Sequence, residues 1–224
     1  MFPSMTETAT PRADAARSAL LDAALIHAAF DGWTAATLKA AAADAGLSAG
    51  EAALYCPGGV LDLIETWSRR SDSIAGEAIA ADPAKRVRER VTNGVLFRLE
   101  AMAGHEDAAR RARARLLLPD GLDRGARLIW ASADSIWRAL GDPSTDGNFY
   151  TKRVTLSGVF ATTQAVWLDE DDPAKPRTRA FLDRRIDGVM QFEKVKARWR
   201  EAQENFPDLA ALAGRMRYGG GGGR

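Results

Sequence analysis

One cysteine, Cys56, and two histidines, His27 and His105, are all that 224 residues offer of those two types. A lone cysteine cannot close an intramolecular disulfide and points to a reducing compartment. It stands before Pro57 with neither His nor Lys beside it, so nothing in the sequence activates the thiol. The histidines are far apart, which leaves no ligand pair at helical spacing, and the expected metal is none. The acidic run Asp169-Glu170-Asp171-Asp172 matches no calcium loop. No constellation of nucleophile, acid and base is evident, so catalysis and a cofactor are not expected. Formal net charge is only +1, which gives the chain as a whole no pull on nucleic acid. No apolar run approaches the roughly 18 residues of a membrane span. Met1 to Arg17 has no apolar core after its charges, an expectation against a signal peptide. Alternating β-branched runs are nearly absent.

What is present favours helix. Hydrophobic residues make up 46% and charged residues 27%, and Ala, Leu, Arg and Glu dominate. The punctuation predicts a first helix over 12–30, ended by Asp31-Gly32. Thr34 caps a second to about Asp44, and Ser48 with Glu51 forms a capping box for a third. Longer helices are expected over 60–80, from near Pro83 to Met102, over 105–117, from beyond Pro119 to Gly141, over 147–168, and from Pro176 to about Ala202. A short last helix is expected over 207–217. The glycine tract Gly219 to Gly223 has no side chains to bury. The expected domains are a helix-turn-helix module over 12–68 and a helical bundle over 69–205. The tails 1–11 and 206–224 are expected to be largely disordered.

Residues 18–64 follow a tri-helical pattern. Small residues at the turns, notably Ala45-Gly46-Leu47-Ser48, let two short helices cross closely. The placing matches a TetR-type module, but the charge opposes DNA. A recognition helix needs donors for bases and phosphates, and Ser48 to Tyr55 has no Lys or Arg. Across 12–68 there are three basic residues against seven acidic, a balance of −4. Such a surface is repelled by phosphate, and no nucleic-acid partner is expected.

A longer likeness reaches over roughly 14–200. It is carried by Asp31-Gly32-Trp33-Thr34, Asp44-Ala45-Gly46-Leu47, Pro57-Gly58-Gly59 and above all the string from Asp142 to Arg153. In these the chain resembles the Coq-nine family of ubiquinone-biosynthesis proteins. The aromatic after Asn148, often Trp in that family, is Phe149 here. The resemblance implies an all-α, TetR-like fold, no catalysis, and a pocket for a lipid or isoprenoid quinone precursor. It also implies support of the demethoxyubiquinone hydroxylase. A homodimer and a cytoplasmic location, peripheral at the inner membrane face, are the accompanying expectations. The alternative is a TetR-type transcriptional regulator with a small-molecule pocket.

Two apolar stripes are candidates for the pocket. Leu122, Ile129, Ile136 and Leu140 form one, with Trp130 and Trp137 beside it; Phe149, Leu156, Phe160 and Trp167 form the other, and all but Leu140 and Phe149 are expected to line the pocket. Helices so broadly apolar are buried on both sides or face a cavity. Core packing is the simpler account of any single member. Ser157 and Thr162-Thr163-Gln164 could meet a quinone head group or bond their own backbone. The partner candidates are Asp142, Ser144, Thr145, Asp146, Asn148, Phe149, Tyr150, Lys152 and Arg153. Capping by Thr145 or Asp146 explains one or two of them. The aromatic and basic neighbours have the make-up of interface anchors, expected exposed at a helix start. Over 85–115 basic residues outnumber acidic ones nine to four. That excess is either a solvated, ion-paired face or an attraction to an anionic membrane surface.

Overall fold

The computed structural model describes the backbone of residues 9–145 and 147–204, with side chains over 12–145, 147–189 and at 191. The described residues are all-α and consistent with the TetR-like expectation. They form α1 (Ala9–Asp31), α2 (Ala35–Asp44), α3 (Ala49–Tyr55), α4 (Val60–Ala81), α5 (Val87–Glu100), α6 (Glu106–Leu116), α7 (Leu122–Ala139), α8 (Gly147–Asp169) and α9 (Pro176–Glu204). The chain divides into two units after Asp183; α9 belongs to the first up to that residue and to the second beyond it. The expected 207–217 helix, the 206–224 tail, residues 1–8 and Asp146 lie outside the described residues. Residues 9–11, expected in a disordered tail, open α1. Helix α4 runs unbroken through residues 68 and 69.

The caps read from the sequence set the boundaries. Thr34 Oγ1 accepts the backbone N–H of Thr37 at 3.2 Å. Ser48 and Glu51 exchange their bonds, at 3.2 and 2.9 Å. Helix α7 ends with Gly141 at φ +76°, and the N–H of Asp142 reaches back to the carbonyl of Trp137 at 3.0 Å. That left-handed turn needs glycine, and it swings Asp142 toward α8.

Helix α5 starts at Val87, not near Pro83. The carboxylate of Asp82 accepts the N–H of Ala84 and the side-chain amide of Asn93, each at 3.0 Å. These two bonds hold the segment before α5 as a turn.

In the first unit α1 buries Leu20, Leu21, Ala24, Leu25 and Ala28 and packs on α2, α4 and α6. Each fully buried Leu or Ile contributes about 1.5–3 kcal/mol. Helix α7 lies between α4 and α8 and also touches α5 and α6. A Cβ on Gly94 of α5 would come 2.9 Å from Ile136 Cγ2 of α7, so this glycine permits the close approach of the two helices.

The acidic loop after α8 has a structural task. Glu170 Oε1 accepts the N–H of Arg177 at 2.7 Å, and Oε2 accepts the N–H and Oγ1–H of Thr178 at 2.7 and 2.6 Å. It therefore caps the first turn of α9. Burial works to raise the Glu170 carboxyl, but the Thr178 and backbone donors outweigh it and hold the group below its usual value. Glu170→Gln sets an NH2 group against these donors. The expected loss is about 1–2 kcal/mol in urea denaturation at neutral pH; an unchanged midpoint would show that the cap contributes nothing.

Candidate functional site

Helices α4 to α8 enclose a cavity of about 400 Å³, wholly within the first unit. Its walls follow the helical repeat. On α4 the faces of Ile64, Trp67 and Ser71 point inward, on α7 those of Leu122, Gly125, Ile129 and Ser132, and on α8 Phe160 and Gln164. The volume exists because small residues stand where large ones would fill it: Ala109 and Ala112 on α6, Ala126 on α7, Ala161 on α8. Leu117 and Leu122 line the cavity and are also more than half exposed, so the chamber opens to the surface between α6 and α7. Arg113 stands at that opening.

Trp67 is braced from the N-terminal module. Trp33 stacks on it with ring centroids 5.8 Å apart, and Trp33 Nε1 donates to the carbonyl of Ala108 at 2.9 Å. The Trp33 of the Asp31–Thr34 motif thus fixes one wall of the chamber.

The polar part of the lining centres on Arg98, which is 3% exposed. Its Nε donates to Asp72 Oδ1. Its Nη2 donates to Ser68 Oγ at 3.1 Å and to the Ser68 carbonyl at 3.4 Å. Ser132 Oγ donates to the same Asp72 oxygen at 2.7 Å. The Arg98 guanidinium lies 5.4 Å from the centre of the Phe160 ring. Burial pulls the Arg98 pKa below its ordinary value and Asp72 opposes that; an arginine stays charged in either case. Nη1 has no hydrogen-bond partner.

Of the eight residues expected to line a pocket, Leu122, Ile129 and Phe160 do so. Ile136, Leu156 and Trp167 are buried core residues. Trp130 and Trp137 turn toward the start of α8. The Trp130 ring lies 6.3 Å from that of Tyr150, and Trp137 Nε1 donates to the Lys152 carbonyl at 3.2 Å. Gln164 borders the chamber, whereas Thr162 and Thr163 bond α8 carbonyls, including that of Val159 at 3.1 and 2.7 Å. Ser157 Oγ is buried without a partner. Trp67, Arg98 and Ser132 were not foreseen. Arg98 does leave a trace in the sequence, as the lone charge inside Val95-Leu96-Phe97-Arg98-Leu99.

The 142–153 segment is part surface, part interior. Tyr150 is 63% exposed, Thr145 and Asn148 are exposed, and Ser144, Phe149 and Lys152 are half-buried. Arg153, expected as an exposed anchor, is buried. Its Nε donates to Asp134 Oδ1 at 2.6 Å, and its Nη1 to Asp142 Oδ2 at 3.3 Å and the Phe149 carbonyl at 3.2 Å. The Phe149 ring lies 3.4 Å from the guanidinium. The Asp142 carboxylate is equally inaccessible. It also accepts Lys152 Nζ at 2.6 Å and Ser144 Oγ at 2.8 Å. Burial works to raise the Asp142 pKa, but Lys152, Ser144 and Arg153 outweigh it and hold the carboxyl low. An arginine facing two carboxylates is drawn inward because each needs the other once desolvated. The two residues hold the surface members in place from below.

The arginine-rich helix is mostly ion-paired or bonded to backbone. Arg110 donates to the Leu168 carbonyl at 2.7 Å, Arg111 to that of Ala29 at 3.0 Å, and Arg115 grips Asp120 with both ends at 2.8 and 2.6 Å. Cys56 is buried, and burial with the nearby Asp62 pushes its thiol up to about 11. His27 Nε2 bonds Asp44 at 2.7 Å. Among the described residues no group of three or more potential ligands is placed to hold a metal, and no helix is long and apolar enough to cross a membrane.

Fold and chamber together define a TetR-like helical protein with an apolar interior cavity and a donor-bearing polar corner. Residues 122–193 match the COQ9 family model. The chain is 30% identical over 179 residues to "Ubiquinone biosynthesis protein COQ9, mitochondrial" of Rattus norvegicus, covering 76% of this chain and 57% of the relative. It is 27% identical to the Homo sapiens protein of that name over 179 residues, covering 76% and 56%. The Drosophila melanogaster protein of that name is 26% identical over 195 residues, covering 82% and 58%. Over about three quarters of its length the chain is similar to these COQ9 proteins, and it spans little more than half the length of these curated relatives. Their names place those proteins in the mitochondrion; the expected cytoplasmic location has no support from them.

Proposed function

We propose that this chain is a non-catalytic accessory protein of ubiquinone biosynthesis. It holds a lipid or isoprenoid quinone precursor in the α4–α8 chamber and supports the demethoxyubiquinone hydroxylase through the surface around Phe149 and Tyr150. The observation that carries the reading is the chamber: about 400 Å³, largely apolar, and open at Leu117 and Leu122. Its size falls in the range of small-molecule sites, which runs from about 300 to 1,000 Å³. The exposed leucines and Arg113 at the opening suit a lipid surface as the place where ligand enters, so the protein works peripherally to a membrane. A second copy of the chain is the remaining expected partner.

The test is thermal denaturation with and without a short-chain isoprenoid benzoquinone and a neutral glycerolipid. Ligand at a hundredfold over its dissociation constant contributes about 2.7 kcal/mol. For a chain of this size that is a rise of roughly 5–10 °C. Ala126→Trp, at the rim, should abolish the rise while leaving the free protein's melting temperature within about 2 °C. No rise with either ligand would refute the chamber as a binding site.

A further inference from the structure

Four polar side chains of the chamber wall are spent on the protein itself. Ser68 accepts from Arg98, Ser71 donates to the Trp67 carbonyl and Ser132 donates to Asp72. Arg98 is held by Asp72, and its remaining nitrogen is closed off in the interior. Gln164 differs. It stands one turn beyond Phe160 and Ala161 on the chamber face of α8. Its Nε2 donates to Met102 Sδ at 3.9 Å. Met102 is buried and lines the chamber too, so the amide end of Gln164, and not only its stem, lies at the wall. A thioether sulfur accepts and does not donate, which sets the amide nitrogen toward Met102 and leaves Oε1 as the free end. No hydrogen bond reaches Oε1. Among the described residues the unpartnered side-chain atoms sealed in the interior are Arg98 Nη1 and Ser157 Oγ, so Gln164 Oε1 is open to a molecule the size of water.

Donor count and charge decide what suits this atom. An amide oxygen accepts and never donates. A carboxylate or phosphate sets acceptor against acceptor. An ammonium loses its hydration with no free carboxylate to replace it, since Asp72 is held by Arg98 and Ser132. A quinone, ester or ether oxygen takes only the second Nε2 hydrogen and leaves Oε1 bare. A neutral hydroxyl supplies the missing donor.

We infer that Gln164 forms a hydroxyl-binding subsite: its Oε1 accepts a hydrogen bond from a neutral O–H of an otherwise apolar molecule in the chamber, which therefore favours the phenol or alcohol form of an isoprenoid over the quinone. This rests on the chamber being a binding site and names the chemistry of its occupant. A phenolic ring and a prenyl alcohol both supply such a group. Met102 is a positioning residue that holds the amide with its oxygen turned away from the sulfur, and no covalent bond is made or broken.

The experiment compares five probes by calorimetric titration of the full chain: a geranylated phenol and its methyl ether, farnesol and its methyl ether, and a geranylated benzoquinone. Each ether keeps the shape of its parent and lacks the donor. The wild-type chain should bind at least one hydroxyl probe about fivefold tighter than its ether. A larger ratio for the phenol pair than for the farnesol pair, or the reverse, supports the subsite and identifies the source of the hydroxyl. The variants are Gln164→Leu and Gln164→Met, which keep the bulk of the side chain without the amide; the second serves if the first does not fold. In them the hydroxyl-to-ether ratio should fall to near onefold while ether affinity holds or rises. Equal binding of hydroxyl and ether in both pairs of the wild type would overturn the subsite and leave the chamber standing, as expected if water satisfies Oε1. Quinone bound as tightly as the phenol would overturn the need for a donor. A ratio that survives in the variants would move the hydroxyl to another group and overturn the assignment to Gln164. Failure of all five to bind would overturn the subsite and the chamber together.

Discussion

Arg153→Met should destabilise the fold by about 3–5 kcal/mol in urea denaturation at pH 7. The side chain is 1% exposed and joins Asp134, Asp142 and the Phe149 carbonyl. Methionine fills much of the same volume, so the loss arises chiefly from carboxylates left buried with too few partners. Lys152 and Ser144 still reach Asp142, and Arg138 still reaches Asp134, which keeps the loss within that range. The effect has a pH signature. Asp142 has its pKa depressed in the folded state, so its stabilisation is present above the unfolded value of about 3.9 and is lost as pH falls through the folded value. The gap between variant and wild type should therefore narrow below about pH 4. A loss under about 1 kcal/mol, or a gap that does not change with pH, would contradict this account of the buried cluster.

Phe149→Ala should weaken binding to the demethoxyubiquinone hydroxylase about thirtyfold, the equivalent of about 2 kcal/mol. Phe149 is half-buried, with one face stacked on Arg153 and its ring in a T-shaped pair with that of Tyr150, centroids 5.2 Å apart. A ring held this way loses little entropy on docking. It is not among the fully buried residues, as Leu156 and Phe160 are, where truncation would cost about 3–5 kcal/mol. The stability loss should instead be about 1 kcal/mol, from the lost contact with the guanidinium. Surface plasmon resonance with the hydroxylase, alongside thermal melts, checks both numbers. Normal affinity in a chain that melts far lower would assign Phe149 a packing task and remove the patch.

The helices were legible where a local signal closes each end. Thr34, the Ser48–Glu51 box and Gly141 all act within a few residues. The start of α5 was not, because Pro83 resembles a first-turn residue, while the bond that holds the turn comes from Asn93, eleven positions beyond Asp82.

The site was legible as a set of buried faces and no further. Periodicity shows that Leu122, Ile129 and Ile136 turn inward. It does not show that Ile136 meets helix α5 at Gly94 while Ile129 meets open space. The chamber is made by alanines on three helices, and missing volume has no residue to mark it. Trp130 and Trp137 look as apolar as their neighbours, yet their partners, Tyr150 and Lys152, follow a chain reversal. Arg153 resembles a surface donor because the two carboxylates that draw it inward stand 11 and 19 residues away.

The most direct test of a lipid-holding chamber is native mass spectrometry of the chain purified without detergent, followed by organic extraction of whatever it carries. The account predicts a second series of peaks, heavier than the bare chain by one neutral lipid or isoprenoid quinone. That series should disappear on extraction and be depleted in Ala126→Trp. Spectra showing only the bare chain, before and after incubation with quinone-loaded vesicles, would contradict it.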